Sequence, residues 1–517
     1  MKNRIAFGFV VAIVFFVYSC DIERKSNDEK FRPLIHYSLN KNWTGEPSGL
    51  LYYEGEYHLF HQINPTQAVF GNIHWGHAVS RDLVHWEQLP TAISPDSSGQ
   101  IYSGSVVADL HNTSGFGSNE NPPLIAFYTY HDSVKVQNET SSEHSIVLAY
   151  SLDKGRSWVK YKYPVLKNSS DPVFCNPKVS WNNFSKQWLM TVSIGSAIQI
   201  YSSSDCIQWD LLSEFGENIK TEGGWQSSDL FPIKIANSDL TKWVLMVSMN
   251  GGPADGAPAI RYFVGDFNGT EFKMTQTREL WVDYGNDNYA GMIFNNAPDN
   301  RKIMVGWMSC WNYANQTPTE TWRGSMIFPR DLDLVLEGNY YLLTSTPIKE
   351  LNKLYGKTET INEMQLSGKK GIFDNNPFPK TPFVLRLVFD NSNRYAIWGA
   401  RDYGVNFKTK SGRNLSIGYR AEMNYYYIDR SKLMKNPISD NFERITGASY
   451  IFNNPSTDWY ILVDNGSVEL FTCGNRIAMT SLCYPDETFE SFELYSEFGS
   501  IKLLKASITE LNSENSK

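Results

Sequence analysis

Three short segments of the chain repeat one another, and this repetition constrains the fold more than any other feature. The segments are SRDLVHWEQL (80–89), SLDKGRSWVKY (151–161) and SSDCIQWDLL (203–212), and GDFNGTEFKM (265–274) is a looser fourth copy. In the first three, serine is followed two residues later by aspartate and then by tryptophan. Such an aspartate can bond to the backbone of a turn, and the tryptophan can pack inward. Strand-like runs separate the copies, which predicts the blades of a β-propeller, since one blade cannot bury its face alone.

The repeat pattern ends near Thr346, and a different organisation follows. Strand-like runs such as PFVLRLVFD and WYILVDNGSVELFT predict an antiparallel β-sandwich. Aromatic residues make up 14% of the chain, with 15 Trp. This content favours a β-rich protein that contacts carbohydrate. The sequence therefore predicts an all-β chain with a propeller over 35–350 and a β-sandwich over 355–517.

The chain begins with a stretch that is typical of an export signal. Two basic residues precede an apolar run over residues 5–18, which is shorter than the about 20 residues that span a bilayer. The run ends in VYSC, which resembles a bacterial lipobox with Cys20 as the lipid-bearing residue. We expect a signal peptide over 1–19 and a lipidated tether over 20–34, and hence an exported, membrane-anchored lipoprotein. A simple cleaved signal is the alternative, and the membrane and leaflet stay open.

Charge and cysteine content bear on the kind of partner. The formal net charge of −8 gives no reason to expect nucleic acid, because phosphate binding needs clustered positive charge. The cysteines after Cys20 are Cys175, Cys206, Cys310, Cys473 and Cys483. Their odd number leaves at least one free thiol, and the last two are either a disulfide or two buried thiols. The spacing of His61, His74 and His77 does not make a metal site. We expect a monomer that needs no cofactor or metal.

Eight segments, in order along the chain, resemble glycoside hydrolase family 32, the fructan hydrolases and invertases. They are HLFHQINP, HWGHAVSRDLVHWEQLPTAISPD, YSGSVVAD, NPKVSW, DLFPI, DYGNDNYAGMIF, GWMSCWNYANQTPTETWRGSMIFPRDLDL and GSVELFTCGNRIAMTSLCYP. The resemblance implies a five-bladed propeller joined to a β-sandwich. It also implies hydrolysis of fructosyl bonds with retention, in which one carboxylate attacks the anomeric carbon and another protonates the leaving oxygen. A third carboxylate stabilises the transition state.

The chain departs from the family at all three carboxylate motifs. Where the family has WMNDPNG, this chain has WTGEPSG, which places Glu46 at the nucleophile position. Where the family has FRDPKV, it has FCNPKV, so Asn176 stands for the stabilising aspartate and Cys175 for the arginine. Where the family has WECPDLF, it has WQSSDLF, so Gln226 stands for the acid/base glutamate. The following KVSW favours this alignment over a displaced motif at Asp171-Pro172.

Each departure weakens a different part of the chemistry. Glu46 carries one more methylene than aspartate, and a shift of about 1 Å can cost ~100-fold in rate. Asn176 brings no negative charge to an oxocarbenium-like transition state. Gln226 has no proton to give, and general acid–base assistance is worth ~10²–10⁴. Asp229 matches a structural aspartate of the motif and is no obvious substitute.

Other positions still match the family's sugar pocket. Residues at fructosyl-contacting or funnel positions are Trp43, Gln62, Trp75, Tyr102, Ser103, Asp283, Tyr289 and Trp311. Trp86, Trp158 and Trp209 belong to the repeated turns and are expected to pack. We therefore predict a catalytically impaired homologue that binds fructan or fructooligosaccharides between Glu46, Asn176 and Gln226. The alternatives are an active retaining β-fructofuranosidase of levanase or inulinase type with Glu46 as nucleophile, and a scaffold without ligand.

Overall fold

Nearly all regular structure in this chain is β-strand. The computed structural model describes residues 29–97, 99–132, 144–168, 173–216, 218–219, 223–253, 256–374, 378–380, 382–390, 392, 398–442, 444–450 and 458–512. The predicted signal peptide (1–19), the lipidation position Cys20 and the dipeptide Asp171-Pro172 lie outside these ranges.

Five antiparallel sheets follow one another and form the five blades of a propeller. Blade 1 has β1 (Asn42–Tyr53), β2 (Glu56–Asn64), β3 (His74–Ser80) and β4 (Glu87–Ile93). Blade 2 has β5 (Gly99–Ala108), β6 (Leu124–Asp132), β7 (His144–Ser151), β8 (Val159–Lys160) and β9 (Leu166–Asn168). Blade 3 has β10 (Phe174–Asn182), β11 (Gln187–Ile194), β12 (Ala197–Ser203) and β13 (Asp210–Phe215). Blade 4 has β14 (Trp225–Lys234), β15 (Thr241–Met249), β16 (Ala259–Phe267) and β17 (Phe272–Met274); blade 5 has β18 (Tyr289–Ile293), β19 (Lys302–Met308), β21 (Ser325–Met326), β22 (Arg330–Glu337) and β23 (Tyr340–Pro347). The short strand β20 (Trp322–Arg323) pairs in parallel with the start of β1 and joins the last blade to the first.

The repeated turns are held by the bonds that the sequence predicts. In the first copy the Ser80 hydroxyl accepts the backbone N–H of Leu83 at 2.8 Å, and Asp82 accepts that of His85 at 3.0 Å. The Trp86 indole N–H closes the turn on the Leu83 carbonyl at 3.0 Å. The second and third copies repeat the serine and aspartate bonds and the closure by tryptophan. Each turn is therefore a local unit that ends the third strand of its blade.

The C-terminal part is a single large sheet that folds over a common core into a β-sandwich. Its strands are β24 (Tyr355–Ile361), β25 (Met364–Ile372), β26 (Phe383–Asp390), β27 (Asp402–Thr409), β28 (Asn414–Arg420), β29 (Tyr425–Asp429), β30 (Ile445–Ser449), β31 (Asp458–Asp464), β32 (Ser467–Thr472), β33 (Ile477–Leu482) and β34 (Phe489–Leu511). The long strand β34 pairs in turn with β24, β25, β26 and β27, which holds the sandwich together. The all-β architecture of propeller and sandwich confirms the fold predicted from the sequence.

Helices are short in the described part of the chain. The 3-10 helices are Pro298–Asn300, Ala314–Gln316, Lys349–Leu354 and Ala421–Met423. The third of them connects the propeller to the sandwich. No helix among the described residues has the length and apolar character needed to cross a membrane.

A buried ionic network joins the two domains. Arg330 of blade 5 donates to Asp283 at 2.8 Å and pairs with Glu469 of the sandwich. His36, which precedes blade 1, bonds to Glu469 and to Asp464, both at 2.7 Å. Burial lowers the pKa of His36, but the hydrogen bonds to Asp464 and Glu469 outweigh burial and raise that pKa to about 9. A charged histidine and arginine thus neutralise the buried carboxylates.

The segment before blade 1 belongs to the folded domain, which corrects the predicted end of the tether. Arg32 is 2% exposed, donates to the Leu39 carbonyl at 2.9 Å and lies over the ring of Trp322 at 4.9 Å. The backbone N–H of Leu34 donates to Asp464 at 3.0 Å. The predicted tether over 20–34 therefore extends too far, because its last residues find buried partners in both domains.

Removing the arginine from this network should strongly destabilise the fold. We expect Arg330→Met to lower the free energy of unfolding by about 3–5 kcal/mol, because it leaves the buried carboxylates of Asp283 and Glu469 uncompensated. Urea unfolding followed by tryptophan fluorescence measures the change. The matched control is Lys234→Met, which breaks an exposed pair with Asp239 and should cost less than about 1 kcal/mol. Equal losses in the two variants would contradict the role given to the network.

Candidate active site

The innermost strand of every blade is interrupted by a bulge close to its start. The register shifts between Thr44 and Pro47, Ile101 and Gly104, Cys175 and Lys178, Trp225 and Ser228, and Tyr289 and Met292. Bulges redirect side chains and are frequent beside active sites. The five bulges form a ring at one end of the central channel. This ring carries five of the predicted site residues, which are Glu46, Tyr102, Ser103, Asn176 and Gln226. The structure therefore brings the three predicted catalytic positions to the same end of the channel.

Glu46 is buried and held at both carboxylate oxygens. Oε1 accepts the Trp311 indole N–H at 3.0 Å, and Oε2 accepts the Ser103 hydroxyl at 3.1 Å. The Gln62 side-chain amide donates to the same Ser103 oxygen at 2.6 Å. Burial raises the pKa of Glu46, while the bonds from Trp311 and Ser103 oppose that rise. Four residues expected from the sequence therefore form one hydrogen-bonded group.

Asn176 and Gln226, the predicted stabiliser and acid/base positions, are both half-buried. Asn176 has φ of 55°, a left-handed conformation that asparagine and aspartate adopt more readily than most residues. Its backbone N–H donates to the Thr129 hydroxyl at 2.8 Å, and its side-chain amide reaches the Ser227 hydroxyl at 3.4 Å. The side chain at this bulge is therefore an uncharged amide in a conformation that asparagine tolerates.

Aromatic rings form the wall beside Glu46. The ring centroids of Trp43 and Trp311 lie 6.1 Å apart. The ring centroid of Trp307 lies 5.5 Å from that of Trp43 and 4.7 Å from that of Trp311. Phe70, 39% exposed, meets the Trp311 ring edge-to-face at 5.0 Å. The sequence reasoning missed Phe70, although its place in the loop after HQINP, between two matching segments, was the available signal. Trp43 and Trp307 are fully buried, so of these four rings Trp311 and Phe70 are the ones with surface on which a sugar can stack.

Several polar atoms near Glu46 have no protein partner among the described residues. They are Nε1 of Trp43, Oε1 of Gln62 and the hydroxyl of Tyr289. Burial and the nearby charge of Glu46 raise the pKa of Tyr289, so its hydroxyl stays protonated. Buried polar groups are normally paired. These three atoms are buried from solvent, so a ligand reaches them only if the surrounding side chains move.

Two predicted binding residues support the pocket from behind. Trp75 is fully buried, and its indole N–H donates to the Tyr102 carbonyl at 2.9 Å, which fixes the bulge of blade 2. Asp283 lies in the interdomain network, where its oxygens accept bonds from Arg330 and from the backbone and hydroxyl of Thr480. Because both of its oxygens are used, Asp283 serves the domain interface and does not line the pocket. This corrects the prediction for that residue.

A buried ion pair closes the channel below the ring of bulges. Lys178 Nζ lies 3.3 Å from Asp229 Oδ2 and donates to the Ile293 carbonyl at 2.8 Å. Asp229 also accepts the Ile293 backbone N–H at 2.8 Å. Farther down, the Asn295 amide bonds to two backbone carbonyls of neighbouring blades. The site is therefore a closed pocket, and Asp229 is occupied in its floor.

The described residues show no grouping of three His, Cys, Asp or Glu side chains suited to a metal ion. The cysteines from Cys175 onward are free thiols, so Cys473 and Cys483 are two buried thiols and not a disulfide. Cys175, at the arginine position, is half-buried beside Asn176.

The structure therefore places a polar site with tryptophan rings beside it at one end of a five-bladed propeller that is joined to a β-sandwich. Comparison with known families identifies the class of protein. The glycosyl hydrolases family 32 N-terminal domain matches residues 36–347, and the family 32 C-terminal domain matches residues 350–510. The chain belongs to glycoside hydrolase family 32.

Similar proteins with known names are fructan hydrolases. A levanase of Bacillus subtilis is 36% identical over 98% of this chain and 75% of its own length. An extracellular exo-inulinase of Aspergillus niger is 30% identical over 94% of this chain and 95% of its own length. The crystal structure of exo-inulinase from Aspergillus awamori superposes with a TM-score of 0.85 at 29% identity, covering 94% of this chain and 99% of that one. A fructofuranosidase of Schwanniomyces occidentalis complexed with fructosylnystose gives 0.83 at 29% identity, covering 94% and 98%.

The environment of Glu46 predicts an unusual titration. We expect its pKa to lie above the ordinary 4.5, and Trp311→Phe to raise it further, because that change removes a hydrogen bond to the ionised carboxylate. Carbon-13 NMR of labelled glutamate side chains, assigned with Glu46→Gln, follows the titration. The matched control is Trp86→Phe, whose indole bonds only within a turn. An unchanged Glu46 titration in Trp311→Phe would show that this bond is not formed.

Proposed function

We propose that this family 32 protein binds fructan or fructooligosaccharides in its pocket without hydrolysing them efficiently. One observation carries the proposal: at the ring of bulges, Glu46 is the sole carboxylate among the described side chains, and amides stand at Asn176 and Gln226. The amides keep hydrogen-bonding capacity for sugar hydroxyls. They supply neither the negative charge nor the proton that the family's reaction requires.

The arrangement of nearby carboxylates supports the same conclusion. Asp229 Oδ2 is held by Lys178 and by a backbone amide in the floor of the channel, below the ring of bulges that carries Glu46. Asp283 is committed to Arg330 and Thr480. A proton donor in place of Gln226 would have to come from the sugar or from water. Such a donor lacks the rate contribution of a positioned general acid.

The ligand class follows from the similar proteins and from the pocket. Their printed names are levanase and exo-inulinase, and one similar structure holds fructosylnystose. The group formed by Gln62, Ser103, Glu46 and Trp311 supplies donors, acceptors and an aromatic face for such a sugar. We also propose that the chain is exported as a monomer and anchored to a membrane by a lipid on Cys20, as the VYSC sequence favours.

The rival function is an active retaining β-fructofuranosidase in which Glu46 attacks the anomeric carbon. It is supported by the position of Glu46 on the bulge of blade 1 and by the hydrolases among the similar proteins. The two functions differ in what they require of Glu46. Binding needs a hydrogen-bond acceptor at that position, whereas turnover needs its charge and nucleophilicity.

Titration calorimetry of the chain from Asp21 with levan and inulin oligosaccharides separates the two functions. We expect saturable heat that returns to baseline, and Glu46→Gln should bind within about tenfold of the parent, because the amide retains one acceptor oxygen. Gln62→Ala should weaken binding by roughly tenfold or more, because it removes a pocket amide. The matched control Gln208→Ala, on an exposed turn, should have no effect.

Either of two results would reject the binding function. A sustained power offset after each injection, abolished by Glu46→Gln, would establish turnover and favour the rival. The absence of heat with both oligosaccharides would leave a scaffold or a different sugar.

Restoring the carboxylates should restore hydrolysis if their loss is the cause of impairment. We expect the triple variant Glu46→Asp, Asn176→Asp, Gln226→Glu to release fructose at least ~100-fold faster than the parent chain, which is the lower range of acid–base assistance. The reducing-sugar release from levan oligosaccharides measures it. The control is the double variant that keeps Gln226, which should stay slow because it lacks the proton donor. A triple variant as inactive as the parent would place the defect elsewhere, for example at Cys175.

A further inference from the structure

A shallow depression lies at the end of the channel opposite the ring of bulges. On β10, Trp181 follows Asn176 by five residues, and on β5, Ala108 follows Ser103 by the same number. Strand geometry therefore separates the depression from the ring of bulges by about 15 Å. The buried ion pair that closes the channel lies between the two, so the depression is not part of the pocket beside Glu46.

Three blades contribute side chains to this depression. The loop after β5 belongs to blade 2, the hairpin of β10 and β11 to blade 3, and the turn after β18 to blade 5. The side chains that bear on binding are Leu110, His111, Trp181, Trp188, Asn295 and Asn296.

The ring of Trp181 is half-buried and firmly held. It packs edge-to-face on Trp188, with the ring centroids 5.0 Å apart. The Trp188 indole N–H donates to the Thr113 hydroxyl at 2.9 Å. Asp109 accepts the backbone N–H groups of Thr113 at 2.9 Å and of Ser114 at 2.8 Å, which fixes the loop after β5. The ring is therefore in place before a ligand arrives, which lowers the entropic cost of binding.

The polar side chains beside this ring keep their hydrogen-bonding groups open. His111, whose ring centroid lies 5.8 Å from that of Trp181, and Asn296 are both exposed. Their side chains and the Trp181 indole N–H make no hydrogen bond to the residues that the structure describes. The neighbouring Asn295, by contrast, is tied to the backbone carbonyls of Val106 and Val179. The depression thus offers one aromatic face with donors and acceptors around it.

The charge of the depression restricts the class of ligand. Among the described residues that line it, none is Lys, Arg, Asp or Glu. Anionic groups such as phosphates and carboxylates are held by charged donors, and the chain carries a formal net charge of −8. An aromatic face with uncharged polar groups suits a neutral, hydroxyl-rich ligand.

We propose that this depression is a second sugar site, at which one unit of a neutral saccharide stacks on Trp181 and bonds to His111 and Asn296. Leu110, 51% exposed, adds apolar surface to the same depression. The site does not depend on sugar binding in the pocket beside Glu46. With both sites filled, one molecule holds saccharide at both ends of its propeller.

Fluorine NMR of the chain from Asp21, labelled with 5-fluorotryptophan, observes the two sites separately. The resonance of Trp181 reports the second site. That of Trp311 reports the pocket, because its indole bonds to Glu46. The variants Trp181→Phe and Trp311→Phe assign the two resonances. The probes are levan oligosaccharides and maltohexaose, which are neutral, and tetragalacturonate, which is anionic.

We expect a saturable shift of the Trp181 resonance with levan oligosaccharides or maltohexaose at concentrations up to about 20 mM, where a millimolar site is filled. His111→Ala should weaken this response about threefold or more, because it removes a hydrogen-bonding group. The matched control His85→Ala, in a repeated turn of blade 1, should leave it unchanged. Gln62→Ala, which acts on the pocket, should also leave the Trp181 response unchanged.

Three results would overturn the second site. They are a Trp181 resonance that neither neutral sugar moves, a response to tetragalacturonate as strong as that to the neutral sugars, and an unchanged response in His111→Ala. A shift of Trp181 while Trp311 stays unmoved would support the second site and count against the pocket. A shift of Trp311 alone would reject the second site and leave the proposed function standing.

Discussion

The bulge near the start of each inner strand is the constraint on which the site depends. A regular strand would send successive side chains to its two faces, toward the neighbouring blades. An extra residue breaks that alternation and turns one side chain into the channel. The backbone thus fixes the positions of Glu46, Asn176 and Gln226 in the channel, whereas their side chains fix the chemistry that is available there. Asn176 adopts a left-handed conformation on its bulge, which asparagine and aspartate tolerate better than most residues.

The features that could be predicted from sequence are those whose partners are local. The serine, aspartate and tryptophan of the repeated turns bond within six residues of one another, so the blade pattern was readable. The fold followed from ordered segments that resemble one family. Glu46, Gln62, Ser103 and Trp311 meet as expected because each matches a family segment.

The features that escaped prediction depend on distant partners. The segment around Asp283 predicts a residue of the pocket funnel. In the structure, however, Thr480, 197 residues later, donates hydrogen bonds to both carboxylate oxygens of Asp283. The end of the tether was misplaced because Asp464, 430 residues away, binds the backbone of Leu34. Phe70 was missed because its place in the loop after HQINP does not show its partner, Trp311, which only the fold brings beside it.

The proposed function, in which a pocket without two of the carboxylates still binds sugar, can be explained by the energetics of catalysis. Only interactions that are stronger in the transition state than in the ground state accelerate a reaction. A negative stabiliser and a proton donor are of that kind, because they act on charge that develops only as the glycosidic bond breaks. The aromatic wall of Trp311 and the amide of Gln62 act on the intact sugar as well. Under the proposed function, a pocket with amides at Asn176 and Gln226 lacks the first set and keeps the second, so it would retain affinity without efficient catalysis.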